Sequence, residues 1–165
     1  MIFLKVKLMR GPLFFCLGNW CFQKCCVSPC ISNKEASFNI MLCLGVDFWK
    51  RWCSWKVRDA DATALGTGNQ NTNQIVSGCA SSGIAAKLCQ DLVQGGYSDW
   101  FLPSSDELAK IYLNRVAIGG LTSNVHWTST EASSGTAWIL NFNDGIPNPW
   151  NKGANYVYVR AVRYF

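Results

Sequence analysis

Few residues in this chain combine type and spacing in a way that could do chemistry. His126 is the only histidine. It stands in the alternating run Val125-His126-Trp127-Thr128-Ser129-Thr130, where a packed or edge imidazole fits better than a base. A nucleophile needs a base within reach, and no other candidate is present. Cys21, Cys25, Cys26 and Cys30 lie at four- and five-residue steps, without a CxxC pair or a matching distant partner. Structural zinc sites use four nitrogen or sulfur ligands at recurring spacings, so no metal site is expected. Gly66 and Gly68 superficially resemble a phosphate loop, but no Lys-Ser/Thr follows and no apolar strand precedes them. No catalytic residue, metal or cofactor is therefore assigned. The clearest device is structural: Ser104 and Glu107 are spaced as a capping box, and Pro103 keeps Leu102 extended just before it.

Positioning elements follow from the apolar pattern. Ile84, Leu88 and Leu92, with Ala85, Cys89 and Val93 beside them, form an i, i+4 stripe. It predicts a helix from about Ser82 to Gln94 that buries the Ile84/Leu88/Leu92 face and stops at Gly95-Gly96. A second helix runs from Ser104 to about Arg115, presenting Leu108, Ile111 and Tyr112. Strands are expected at 125–130, at 136–142 and at 156–164, with Asn143-Asp144-Gly145 supplying tight-turn chemistry. Ala62 to Thr72, rich in Gly, Asn and Thr, reads as a surface loop, and Asn73 to Val76 as a short helical turn. Two helices followed by strands imply an α+β fold with an antiparallel sheet.

The chain has 165 residues, 49% of them hydrophobic and 15% charged. That is enough for one cored domain with an appendage. Residues 1–55 hold seven Lys/Arg against Glu35 and Asp47, whereas the remainder is balanced, so the net charge of +5 belongs to the first third. Seven of the nine cysteines lie there too. The expected division is a basic, cysteine-rich segment over 1–56, a leader or a poorly ordered stretch, and a domain over 57–165. The domain is expected to fold without the segment. Lys5, Lys7 and Arg10 precede an uncharged run, Gly11 to Gln23, which gives a weak or atypical export signal. That run falls short of the roughly 20 apolar residues a bilayer span needs, so no transmembrane helix is expected. Phe48 to Lys56 interleaves basic and aromatic residues. With no folded nucleic-acid motif around it, a partly buried linker is the better reading, and no nucleic-acid partner is expected. Cys79 and Cys89 could form a disulfide if the chain at Cys79 folds back along the helix; the alternative is two buried thiols. The bond would place the domain outside a reducing cytoplasm.

Gly83-Ile84-Ala85-Ala86, Gly96-Tyr97-Ser98-Asp99-Trp100, Leu102-Pro103-Ser104, Glu107-Leu108, Trp127-Thr128-Ser129-Thr130-Glu131, Ala137-Trp138 and Val159-Arg160-Ala161-Val162-Arg163 occur in one order. In that combination residues 60–165 resemble the Lcl C-terminal domain family, a bacterial family with many surface or secreted members; residues 1–56 do not. The resemblance implies a C-type lectin-like fold, an extracytoplasmic location and, from members implicated in adhesion, binding of sulfated polysaccharide.

Most motif residues read as structural. Trp100, Trp127 and Trp138 are expected in the core. Arg160 and Arg163, three apart on the last strand, should lie on opposite faces. One would pair with Glu131 or Asp99 and the other would face solvent. Ligand contact is assigned to the polar loop Asn143–Asn155 through Asn148, Trp150, Asn151 and Lys152, since an indole beside amides and a lysine suits a sugar ring or a sulfate. An indole folded back on its own domain is the alternative. Pro147-Asn148 and Trp150-Asn151 resemble lectin calcium motifs, but Ile146 and Lys152 stand where carboxylates are needed. The formylglycine-generating oxidases share such a fold but need a late cysteine pair, and no cysteine follows Cys89. The expectation is a non-enzymatic binding or adhesion domain for glycans, or else a protein-binding or structural module of a surface protein.

Overall fold

The computed structural model describes residues 40–42, 48–49, 51–53, 57, 59–79, 81–119, 121 and 123–164. The leader-like run and the cysteines from Cys16 to Cys43 lie outside them, as do Lys50 and residues 54–56 of the aromatic-basic stretch.

The element order is β1 (Ile40–Leu42), β2 (Phe48–Trp49), α1 (Gly68–Gly78), α2 (Ala85–Gln90), α3 (Ser105–Leu113) and α4 (Arg115–Ile118). Then come β3 (Val125–Glu131), β4 (Thr136–Asn141), β5 (Pro147–Asn151), β6 (Tyr158–Val159) and β7 (Val162–Tyr164). The class is α+β, as expected, but with four helices among the described residues rather than two. The main sheet has the order β2-β6-β3-β4-β5, and β1 and β7 form a separate pair. That main sheet is mixed, not antiparallel. β6 lies parallel to β3, with His126 opposite Tyr158, while its other ladders are antiparallel. The expected single strand over 156–164 is interrupted at Arg160 and Ala161, so β6 serves one sheet and β7 the other.

Alternation along β4 gives the sheet two buried faces. Ala137 and Ile139 join Trp127, Ile75, Ala85, Ala86 and Trp52 on the α1/α2 side. Leu140 and Phe142 meet Leu108 and Ile111 of α3 on the other. β3, covered from both sides, is buried from His126 to Glu131. Trp100 and Trp127 are core residues, whereas Trp138 is half-buried.

The expected surface loop at 62–72 turns into helix from Gly68 onward. α1 escapes a periodicity reading because its inner face is largely polar: Asn71 and Thr72 are buried with Ile75. Asn71 donates to the Ala62 carbonyl at 2.7 Å. Thr72 Oγ1 donates to the Gly68 carbonyl at 2.8 Å and accepts from the Leu102 N–H at 3.0 Å. α2 is shorter than its stripe, and its deepest residues are Ala85, Ala86 and Cys89, with Leu88 and Leu92 only half-buried. The chain leaves the helix at Asp91. Gly95 and Gly96, both at positive φ, instead close a tight turn in which Gln94 and Tyr97 exchange backbone hydrogen bonds.

The disulfide joins Cys53 to Cys79, not Cys79 to Cys89, and Cys89 is a buried thiol in the same core cluster. Cys79 caps α1, and the bond ties that end to the strand-side segment that carries Trp52. Closing a 26-residue separation is worth about 3 kcal/mol through the unfolded chain. Trp52 is buried, its Nε1 donating to the Thr128 carbonyl at 2.8 Å. A fragment beginning at residue 57 would thus lack one core indole and half of the disulfide, so the folded body draws on residues before the expected boundary.

Ser104 and Glu107 form the expected capping box at the start of α3. A Cβ on Gly68 would meet Glu107 Oε2 at 2.2 Å, Phe101 Cε2 at 2.9 Å and the Ser104 nitrogen at 2.9 Å. One of those atoms is backbone and the carboxyl is pinned, so the crowding cannot be relieved cheaply. Gly68→Ala is expected to lower stability by about 2–3 kcal/mol despite its gain in helix propensity, read as a lower urea midpoint at unchanged slope.

Candidate functional site

The hairpin joining β4 to β5 is built by its own side chains. Gly145 takes φ 77° at the turn, its N–H donating to the Asn141 carbonyl at 2.7 Å. The Asp144 carboxylate accepts from the Ile146 N–H at 2.9 Å and from Asn141 Nδ2 at 3.1 Å. Beneath it, a Cβ on Gly145 would lie 2.3 Å from the Tyr112 ring, so hairpin and α3 approach as closely as glycine permits.

Residues expected to form one long polar loop are therefore an edge strand, and all five residues of β5 are exposed. Pro147 and Pro149 remove backbone donors from it, which only an edge tolerates and which blunts pairing with a further strand. Cross-strand neighbours place Asn148 opposite Ile139 and Trp150 opposite Ala137. Asn148 and Trp150 thus share the α1/α2 side of the sheet. Asn151 belongs to the other face, and its Oδ1 accepts from the Gly153 N–H at 2.8 Å.

Lys152 does not belong with them. The expected ligand-facing cation is 1% exposed, ion-paired with Glu131, and donates to the Ser134 carbonyl at 3.2 Å. Its ammonium lies 4.6 Å from the centre of the Trp52 ring. The loop after β5 turns inward here because the Lys152 backbone bonds both Trp52 and Gly135. Glu131, in turn, also accepts from the Val57 N–H at 3.1 Å. The cation beside Glu131 is thus Lys152, where one alternative had an arginine, and Arg160 is buried rather than facing solvent.

What sequence reading missed is Tyr156. Its hydroxyl accepts from Trp150 Nε1 at 3.2 Å, and the two rings meet edge to face at 6.4 Å between centroids. Trp150 is 37% and Tyr156 52% exposed. They form an aromatic corner at the sheet edge, with Asn148 two residues along the strand. The only cue in the sequence is a second aromatic six residues after the first, without a regular period to connect them.

Arg163 pairs with Asp99, as one alternative expected. The guanidinium forks onto both carboxylate oxygens at 2.7 and 2.9 Å and lies 3.7 Å from the Tyr97 ring centre. His126 is buried between Phe142 and Tyr158, with Nδ1 3.1 Å from the Asn124 carbonyl. Among the described residues no cluster of three or more His, Cys, Asp or Glu side chains could hold a metal, and no helix is long and apolar enough to cross a membrane.

Fold and edge together define a small α+β domain whose β5 edge presents an indole and an amide, with the lysine that follows it turned inside. The chain belongs to the Lcl C-terminal domain family, which matches residues 30–163 and comprises bacterial surface-associated domains. The match begins well before the stretch whose motifs carry the resemblance, in keeping with Trp52 and Cys53 lying in the core. No curated protein matches the chain.

Two outcomes follow from the ionic contacts. Lys152→Ala would leave Glu131 buried without its cation and is expected to cost about 3–5 kcal/mol, measured by urea unfolding. Any binding by the surviving folded fraction should keep its affinity, because the ammonium does not face outward. Asp99 is held below the usual carboxylate range, chiefly by its hydrogen bonds from Arg163 and despite some desolvation. A carboxyl lowered on folding contributes stability that is present above its unfolded pKa and is lost as pH falls through the folded one. Between about pH 5 and pH 2, the wild type should lose slightly more stability than Asp99→Asn, the margin being small because the pair is partly solvated.

Proposed function

We propose that this is a non-enzymatic, extracytoplasmic binding domain on a C-type lectin-like framework, and that it takes carbohydrate at the β5 edge. The observation that carries the reading is the Trp150–Tyr156 corner. The indole is fixed by its hydrogen bond to a neighbouring ring yet keeps over a third of its surface open. A ring pre-positioned in this way offers a flat apolar surface to the C–H face of a sugar with little ordering cost. Asn148, on the same strand and face, supplies a donor and an acceptor for hydroxyl groups. Family membership supports surface association, and the run of four helices between β2 and the later strands supports the framework.

With Lys152 engaged internally, β5 itself brings no cation to a sulfate. Any preference for sulfated polysaccharide would rest on other basic residues and would fall with salt. Strand addition by a protein partner is the less favoured reading, because Pro147 and Pro149 interrupt the donors along the edge.

The test is a glycan array probed with wild type and with Trp150→Ala, alongside a heparin column run at low and high salt. Loss of the indole should weaken the bound glycans by about 2 kcal/mol, roughly thirtyfold, without shifting the thermal transition. Unchanged binding in the variant would place the ligand elsewhere, and no retained glycan at all would defeat the carbohydrate reading.

A further inference from the structure

Lys152 carries a nucleophilic nitrogen that the β5 edge does not use. Its ammonium is paired with the Glu131 carboxylate, and the two side chains are only 1% and 6% exposed. The backbone pins both residues. The Glu131 N–H donates to the Ala60 carbonyl at 2.6 Å. The Lys152 N–H donates to the Gly135 carbonyl at 3.1 Å, and the Lys152 carbonyl accepts from the Trp52 N–H at 3.0 Å. The functional groups are aimed as well. Val57 N–H donates to Glu131 Oε1 at 3.1 Å, and Lys152 Nζ donates to the Ser134 carbonyl at 3.2 Å. The Trp52 ring covers the nitrogen, its centre 4.6 Å away.

We propose that this pair is a modification site, at which Lys152 Nζ and Glu131 Cδ condense to an intramolecular amide with loss of one water. One ammonium proton passes to Glu131 Oε2, and the freed lone pair on Nζ attacks Cδ. Charge building on Oε1 is met by the Val57 N–H. A second proton follows from nitrogen to Oε2, the Cδ–Oε2 bond breaks and water leaves. The third proton stays on the amide nitrogen, where the Ser134 carbonyl accepts it. The ion pair is the encounter state of this step and holds every atom it needs.

Two physical conditions separate this pair from a surface one. An amine and a carboxyl held in contact can reach an effective concentration on the order of 10⁵ M. Both have also lost their water, which makes the ionic state costly, whereas the amide carries no charge. The product joins the end of β3 to the residue after β5, closing β4, β5 and their turn into one covalent ring. It clasps the edge strand without altering its outward side chains, and it does not depend on what that edge binds.

The experiment is mass spectrometry of the folded full chain, stored for a week and then unfolded, reduced, alkylated and digested. Trypsin should no longer cleave after Lys152, and the peptide spanning Glu131 and Lys152 should be lighter than its sequence by one water. Chymotrypsin, which cuts between the two residues, should release a branched peptide that contains both. Lys152→Arg keeps the cation but cannot form this amide, so its corresponding peptides should have full mass and no branch. The proposal is overturned if the stored wild type is cleaved after Lys152 and yields no branched peptide, a result that stands whether or not the variant folds. It is also overturned if the loss of one water persists in Lys152→Arg, which would place the dehydration elsewhere, such as at Asp144-Gly145.

Discussion

The structure depends first on the buried carboxyl of Glu107. One oxygen accepts from the Ser104 N–H at 2.8 Å, and the other accepts from the Gly66 N–H at 2.8 Å and from the Tyr164 hydroxyl at 2.7 Å. A carboxyl with no solvent exposure is tolerable only when its lone pairs meet donors. Here the three donors come from three different parts of the chain. The start of α3, the turn before α1 and the last strand are thereby fixed to one point. Burial and the hydrogen bond to Glu107 push Tyr164 well above the usual tyrosine range, offset slightly by the Asn69 backbone. The hydroxyl consequently keeps its proton and its role as donor. Gly68 is a consequence of the same junction, since no side chain fits where α1 passes the carboxyl.

A second joint does corresponding work at the end of β3. Glu131 closes β3 and gathers Lys152 and the Val57 N–H, while the Lys152 ammonium faces the Trp52 ring. Burying such a pair gains little net stability over an apolar replacement, because both ions lose water. What it does is choose among arrangements. Only one placement of the segment around Trp52 gives Lys152 both its carboxylate and its aromatic face, and the Cys53–Cys79 bond holds that placement from the opposite side.

Legibility in the sequence followed the kind of interaction. Local devices were readable: the capping box, the Asp-Gly turn and the alternation of β3 and β4 depend on residues within a few positions of each other. The pairing of Arg163 with Asp99 was readable as an alternative because both types occur where strand and turn could meet. α1 was not, since its anchors are Asn71 and Thr72 bonding to carbonyls and amides of distant loops, and polar residues at such positions look like loop composition. The disulfide is not legible because Cys53 lies across the apparent boundary at residue 56. Proximity in sequence favoured Cys89 over a partner 26 positions away. Lys152 reads as a surface cation because lysine usually is one, and nothing local reveals the Glu131–Trp52 recess that accepts it. At the candidate site the indole and Asn148 could be named, but not Tyr156, whose place beside Trp150 is set by how the chain returns after the buried lysine.

That return explains why the β5 edge can carry variable chemistry without endangering the fold. Its two ends are fixed by interactions that ignore the outward side chains: Gly145 seated on Tyr112 at the start, and Lys152 locked beneath Trp52 at the finish. Between them β5 is held to β4 through backbone pairing and small contacts with Ala137 and Ile139. Substituting Asn148 or Trp150 removes no contact of either anchor, and none of the Glu107 junction. A strand clamped at both ends and open along its face separates the stability of the domain from the identity of what that face meets.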